Sequence, residues 1–253
     1  MSVQVDLSGR RVLVTGASSG IGAATARAVV ASGGSVAMVA RRADRLDALC
    51  EELGERALAF PCDVTDLDAL EAAVDDTARS LGALDGVVAV AGKSMFGSIT
   101  TGTPQQWRDL LNLNLIGPLA TVRYAARHFP DTGRRDIVLI GSTGAITPVA
   151  GVGIYGASKR GLRAACDTLR LELAPLGINV GLVMPGMFET EGLTLQGVVI
   201  DGETPAYDLP MFVPDAVPAP PEPLADTIAF MLGMPEGVAI NELVVRPTGQ
   251  LNP

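Results

Sequence analysis

Lysine is almost missing from this chain: Lys93 and Lys159 stand alone against 17 arginines, and His128 is the only histidine. A Ser–His hydrolase would have to use that one imidazole, which falls near the end of a helical stretch beside Phe129 and Pro130 and suits a helix C-cap instead. Cysteine is scarce too. Cys50, Cys62 and Cys166 are odd in number, far apart and without a CxxC pair, which excludes a disulfide framework and a zinc knuckle and fits a reducing compartment. No metal site is expected. Aromatic residues make up 4%, so the core must be aliphatic. Positive charge is in deficit, with 19 Lys and Arg against 28 Asp and Glu, a net charge of −9 and a pI near 4.6. Such a surface repels phosphate backbones and anionic lipid, so neither nucleic acid nor a membrane is expected as a partner. The longest charge-free run, 137–158, holds five glycines and Pro148, which suits a strand, a loop and a helix start better than a membrane span. With no apolar leader at the N-terminus, the reading is a soluble, cytoplasmic protein.

What the chain has in quantity is short aliphatic runs alternating with helical patterns. The runs at 12–15, 35–40, 57–60, 86–91, 137–141, 179–184 and 242–245 read as strands, continuous in hydrophobicity as expected when both sheet faces are covered. Helical patterns at 21–32, 43–53, 67–81, 104–129, 155–176 and 224–233 fill the gaps. This alternation predicts one doubly wound α/β sheet with right-handed crossovers and a single domain over 1–253. Seven of the 17 prolines crowd into 203–223, which predicts a substrate loop or lid at about 187–223; a bland surface excursion is the alternative.

Three motifs carry chemistry. Thr15-Gly16-Ala17-Ser18-Ser19-Gly20-Ile21-Gly22 lies between the first strand and the first helix, where glycines let backbone amides approach a pyrophosphate at a helix N-terminus. The glycine spacing alone should arise by chance ~0.4 times in a chain this rich in glycine, so the strand–helix context gives it its weight. The second strand ends in Ala40-Arg41-Arg42, with no acid to grip a ribose 2′-hydroxyl; two guanidiniums suit a 2′-phosphate, hence NADP over NAD, unless both are merely solvated. In Tyr155-Gly156-Ala157-Ser158-Lys159 one of two lysines follows one of three tyrosines by four residues, a coincidence expected ~0.02 times by chance. On a helix the pair shares a face, where an ammonium would lower the phenol's pKa and ready it for proton transfer. Ser142 follows the fifth strand at the sheet's carboxyl edge, but Ile140 rules out a GxSxG nucleophile elbow.

Together with Asp63-Val64, Ala91-Gly92, Asn114 in NLNLIG and PGMFET at 185–190, these residues make the chain resemble the short-chain dehydrogenase/reductases over nearly its whole length. The resemblance implies a Rossmann fold with seven parallel strands, hydride transfer between NADP(H) and a carbonyl or secondary alcohol, and a catalytic set of Asn114, Ser142, Tyr155 and Lys159. In that set Tyr155 would be the acid/base, Ser142 would hold the substrate oxygen, Lys159 the nicotinamide ribose, and Asn114 a water behind Lys159. By the same resemblance the cofactor would meet Gly16, Ser18, Ser19, Gly20, Ile21, Gly22, Arg41, Arg42, Asp63, Val64, Ala91, Gly92, Tyr155, Lys159, Pro185, Gly186 and Thr190. It also implies a homo-oligomer, a dimer or homotetramer built on the helices at 104–129 and 155–176. The family's usual Asn-Asn-Ala-Gly reads Ala89-Val90-Ala91-Gly92 here, which removes two amides that brace the central strand. The tail from 240 to 250 is similar to that of bacterial NADP-dependent 3-hydroxy-acid dehydrogenases.

From 171 to 245 there is no lysine or arginine but there are eleven acids. A carboxylate or CoA-type substrate needs a cation to offset its desolvation. The expected substrate is therefore a neutral, fairly apolar ketone or alcohol, lined by Met95, Phe96, Met187 and Phe188, with Lys93 the one nearby cation. A 3-hydroxy acid or 3-oxoacyl substrate, epimerisation or dehydration on bound nicotinamide, and a non-catalytic NADP(H)-sensing module are the alternatives.

Overall fold

The computed structural model describes residues 5–100, 102–148, 151–191 and 217–251. Seven strands form one parallel sheet in the order β3-β2-β1-β4-β5-β6-β7: β1 Arg11–Thr15, β2 Ser35–Ala40, β3 Ala57–Pro61, β4 Gly86–Ala89, β5 Arg135–Ile140, β6 Ile178–Pro185 and β7 Glu242–Val245. The helices are α1 Gly20–Ala31, α2 Ala43–Leu53, α3 Leu67–Leu81, α4 Pro104–Leu111, α5 Gly117–Ala125, α6 Gly153–Leu173 and α7 Glu222–Leu232. This is the doubly wound Rossmann arrangement that the strand–helix alternation predicts.

The continuous hydrophobicity of the strands hides a period of two. Val12, Val14, Val36, Met38, Val138 and Ile140 point to one face, where they bury against residues of α1, α2 and α7. On the other face Leu13, Ala37, Val39 and Val87 meet α3 and α5, and Ile137, Leu139, Val180 and Leu182 meet Leu162 and Cys166 of α6. With both faces covered, alternate residues have no reason to be polar. Across the middle of the sheet, Val12 to Thr15 register with Gly86 to Ala89, which sets the ends of β1 and β4 side by side.

Two boundaries differ from the sequence reading. β4 stops at Ala89 rather than at residue 91, because the chain leaves the sheet to pass the glycine loop. The helix expected over 104–129 is instead α4, a wide π turn over Asn112–Ile116, α5 and a short 3₁₀ turn over Ala126–His128. Pro118 has no N–H to give the carbonyl of Asn114 four residues back, and the N–H of Gly117 bonds to Asn112, five residues back. His128 is the last residue of that 3₁₀ turn, and its Nε2 lies 2.7 Å from Asp75 Oδ1 on α3. Residues 192–216, most of the proline-rich segment, fall outside the described residues. At its two ends Phe188 bridges to Ala219, and Glu189 N–H donates to the Ala219 carbonyl at 2.7 Å.

Candidate active site

The strand order reverses between β1 and β4, and at such a point an open α/β sheet has a crevice at its carboxyl edge. Two glycines fix its floor. A Cβ on Gly16, whose φ is +70°, would lie 2.8 Å from the main chain of Ala91, and one on Gly22 would lie 2.3 Å from the Gly16 carbonyl oxygen. No side chain fits at either place, so the glycine loop presses against the main chain of Val90 and Ala91. The loop delivers the chain into α1 with Ser19 at the N-cap and no acid in the first turn. The unpaired amides and the positive end of the helix dipole are left open to an anion. Ser19 makes no capping bond; its Oγ accepts from Arg42 Nη2 at 2.7 Å, and Ser18 Oγ accepts from the same nitrogen at 2.9 Å.

The bracing lost with the amides at positions 89 and 90 is replaced from elsewhere. Thr15 Oγ1 accepts from Ala91 N–H at 3.3 Å. Asn114, fully buried in the π turn, accepts from Lys93 N–H at 3.0 Å and donates to the Lys93 carbonyl at 2.9 Å. Its Nδ2 also donates to Ser158 Oγ at 3.3 Å, and Ser158 donates to the Tyr155 carbonyl at 2.7 Å. One amide thus ties the segment after β4 to the helix that carries Tyr155 and Lys159. A Cβ on Gly92 would lie 3.2 Å from Asn114 Oδ1 and 3.5 Å from Lys159 Nζ, so the two side chains flank one glycine.

Gly92, Ser94, Ser142, Tyr155 and Lys159 line one cavity, with Ile21 of the glycine loop and Pro185, Gly186 and Thr190 from the end of β6. Ser142 is buried at the start of a 3₁₀ turn, its Oγ accepting from Gly144 N–H at 3.1 Å. The Tyr155 phenol hydrogen-bonds with Ser142 and Ser94. Burial raises its pKa above the ordinary phenol value, and the bonds to Ser142 and then Ser94 pull it partly back. The expectation that Lys159 lowers this phenol is therefore corrected. Desolvation dominates, and the buried Lys159 ammonium, itself pushed down to about 8 by burial, donates to the Ile140 carbonyl at 2.9 Å.

The arginine pair divides. Arg42 turns into the crevice toward Ser18 and Ser19, whereas Arg41, with its side chain 76% exposed, faces Asp63 at 3.7 Å outside it. Asp63 accepts from Thr65 N–H and Oγ1 beyond β3, and Val64 is buried against Gly117; neither lines the cavity. Of the expected substrate-lining residues, Phe188 lines it, whereas Met95, Phe96 and the buried Met187 do not. Met187 is buried, and its N–H donates to Gln250 Oε1 at 2.8 Å. Sequence reading missed Ser94, Ser158, Arg45 and Glu191. Their only signal is spatial.

A family model described as short chain dehydrogenase matches residues 10–196. The glycine betaine reductase ATRR of Emericella nidulans is 36% identical over 245 residues, 95% of this chain; the chain spans only 19% of that relative's length. Among solved structures, a dehydrogenase/reductase from Sinorhizobium meliloti 1021 is 30% identical with a TM-score of 0.83, covering 96% of both chains. A short chain dehydrogenase from Burkholderia cenocepacia J2315 in complex with NADP is 35% identical with a TM-score of 0.82, covering 95% of this chain and 97% of that one. Among the described residues no helix is long and apolar enough to cross a membrane. The glycine loop, the Tyr155–Lys159 pair one helical turn apart and the match over most of the chain agree: it belongs to the short-chain dehydrogenase/reductases, oxidoreductases that use nicotinamide cofactors on small-molecule substrates.

Proposed function

We propose that this chain transfers a hydride between NADP(H) and a neutral, fairly apolar carbonyl compound or secondary alcohol. The observation that carries the reading is the convergence of Ser142, Tyr155 and Lys159 on one cavity that also reaches the glycine loop. The residues present fit a pyridine dinucleotide: Gly16 and Gly22 leave no room for a Cβ, the start of α1 is free of acids, and Arg42 stands over Ser18 and Ser19. Those groups, with Asp63 and Val64 toward the adenine and Pro185, Gly186 and Thr190 toward the nicotinamide, would hold it. When bound, the nicotinamide supplies or accepts the hydride.

The protein's part is proton transfer and orientation. Tyr155 O–H gives its proton to the substrate oxygen in reduction and takes one back in oxidation. Ser142 holds that oxygen beside the phenol, and Lys159 binds the nicotinamide ribose. Asn114 keeps α6 and the segment after β4 in register through Ser158 and Lys93. The NADP complex of the Burkholderia cenocepacia relative supports the choice of cofactor, as does the lack of an acid at the end of β2. Apolar walls from Ile21, Val90, Ile140 and Phe188 support a neutral substrate.

A second reading, a 3-hydroxy acid or 3-oxoacyl substrate, is favoured by Lys93, which lies in the cavity lining where a carboxylate could pair with it. A panel of neutral aldehydes, ketones and 3-oxo acids, followed by oxidation of NADPH, separates the two. Turnover of neutral carbonyls alone is expected, and turnover of acids alone would transfer the assignment to the second reading. We also propose a homo-oligomer built on α4, α5 and α6.

A further inference from the structure

At the end of β2, where a carboxylate would select NAD, the sequence supplies only arginines. The fold brings a carboxylate there from 149 residues away. Glu191 Oε2 lies 2.7 Å from Arg42 Nη1, and its other oxygen pairs with Arg45 Nη1, one turn further along α2. We infer that Glu191 competes with the 2′-phosphate of NADP(H) for the Arg42 and Arg45 guanidiniums, and so sets the preference between the two dinucleotides. The inference rests on the cofactor reading above and adds a residue to it.

The geometry leaves Arg42 few free donors. Its Nε and Nη2 are held by Ser18 and Ser19 of the glycine loop, which aims Nη1 at Glu191. Thr190, the preceding residue, sits against Gly20, where a Cβ would lie 3.0 Å from its methyl carbon, so Glu191 is anchored at the mouth of the crevice. Two guanidiniums drawn together repel each other unless an anion sits between them, and Glu191 is that anion in the free protein. A 2′-phosphate carries roughly −1.5 to −2 charges and three acceptor oxygens, so it binds the same forks more strongly than a carboxylate does. The two anions also repel one another, so the phosphate can take Arg42 and Arg45 only when Glu191 withdraws. NAD(H) has no such group and leaves the Glu191 pairs intact. Arg42 and then Arg45 hold the Glu191 carboxyl down at about 2, so it is an anion throughout the pH range of any binding assay.

The test is equilibrium titration of the cofactor-free protein with NADPH and with NADH, for wild type, Glu191→Gln, Glu191→Ala and Glu191→Asp. Both neutral variants should tighten NADPH by about fivefold, a size set by exposed ion pairs, and leave NADH within about twofold; Glu191→Asp should stay near wild type. Glu191 is exposed, and thermal melting confirms that each variant is folded. Unchanged or weaker NADPH binding in both neutral variants overturns the inference, as does equal tightening of NADH. The two readings fail separately. A wild type that prefers NADPH with unresponsive variants keeps the cofactor assignment and drops Glu191. A wild type that prefers NADH, with neutral variants that shift toward NADPH, keeps Glu191 and drops the assignment.

Discussion

Lys159 and Ile140 are joined by a buried hydrogen bond: the ammonium Nζ donates to the carbonyl at 2.9 Å, two residues before Ser142. The bond pins one turn of α6 to the end of β5 and thereby sets Tyr155 beside Ser142. It does not cancel the cost of burying the charge, which leaves the Lys159 pKa at about 8 against an ordinary 10.5.

That cost predicts an unusual pH dependence. Below pH 8 Lys159 is charged in both folded and unfolded states, and the folded state bears the full penalty. Between 8 and 10.5 the unfolded chain binds more protons, so stability rises with pH and the penalty fades. Lys159→Met should therefore be more stable than wild type at pH 7 by about 2 kcal/mol, being ~3 for the shift less ~1 for the lost bond to Ile140. The advantage should shrink as pH climbs past 8, while turnover is lost at every pH. Denaturant melts of both proteins from pH 6 to about 10 check this. A variant less stable than wild type at pH 7 would show that the bond to Ile140 outweighs desolvation.

Asn114→Ala should destabilise the chain by about 1–3 kcal/mol, since it orphans both the N–H and the carbonyl of Lys93. Turnover should fall at least tenfold, because Ser94 and Gly92 share that segment. Urea melts and steady-state rates measured together check the pair of effects; a rate loss with no stability loss would mean that Asn114 acts on the reaction alone.

Ser94→Ala removes the weaker of the two hydroxyl bonds to the phenol. Because that bond lowers the Tyr155 pKa, its loss raises it, and the kinetic limb that reports Tyr155 should move to higher pH. The rate should drop by about two- to tenfold, against a hundredfold or more for Ser142→Ala. A pH profile of kcat/KM for the two variants separates their roles.

Most of the fold was legible because its signals are local. Seven aliphatic runs, the glycine loop and the Tyr155–Lys159 spacing all lie within a few residues of themselves, and a strand or helix turn can be read from neighbours. The site's second layer was not. Ser158 and Ser94 are ordinary serines until Asn114 and Tyr155 arrive from other elements, and Glu191 reaches Arg42 only after the sheet is wound. The π turn at Asn112–Ile116 was missed because its helical pattern continues unbroken through Pro118. The raised phenol was missed for another reason: spacing shows that an ammonium is near, but not that burial acts more strongly on both groups.

The direct test of proton transfer through Tyr155 is Tyr155→Phe, assayed for single-turnover NADPH oxidation with a substrate the wild type reduces, beside NADPH titration of the same protein. The account predicts no detectable oxidation with NADPH affinity kept within about tenfold of wild type. Oxidation at a rate near that of wild type would contradict it.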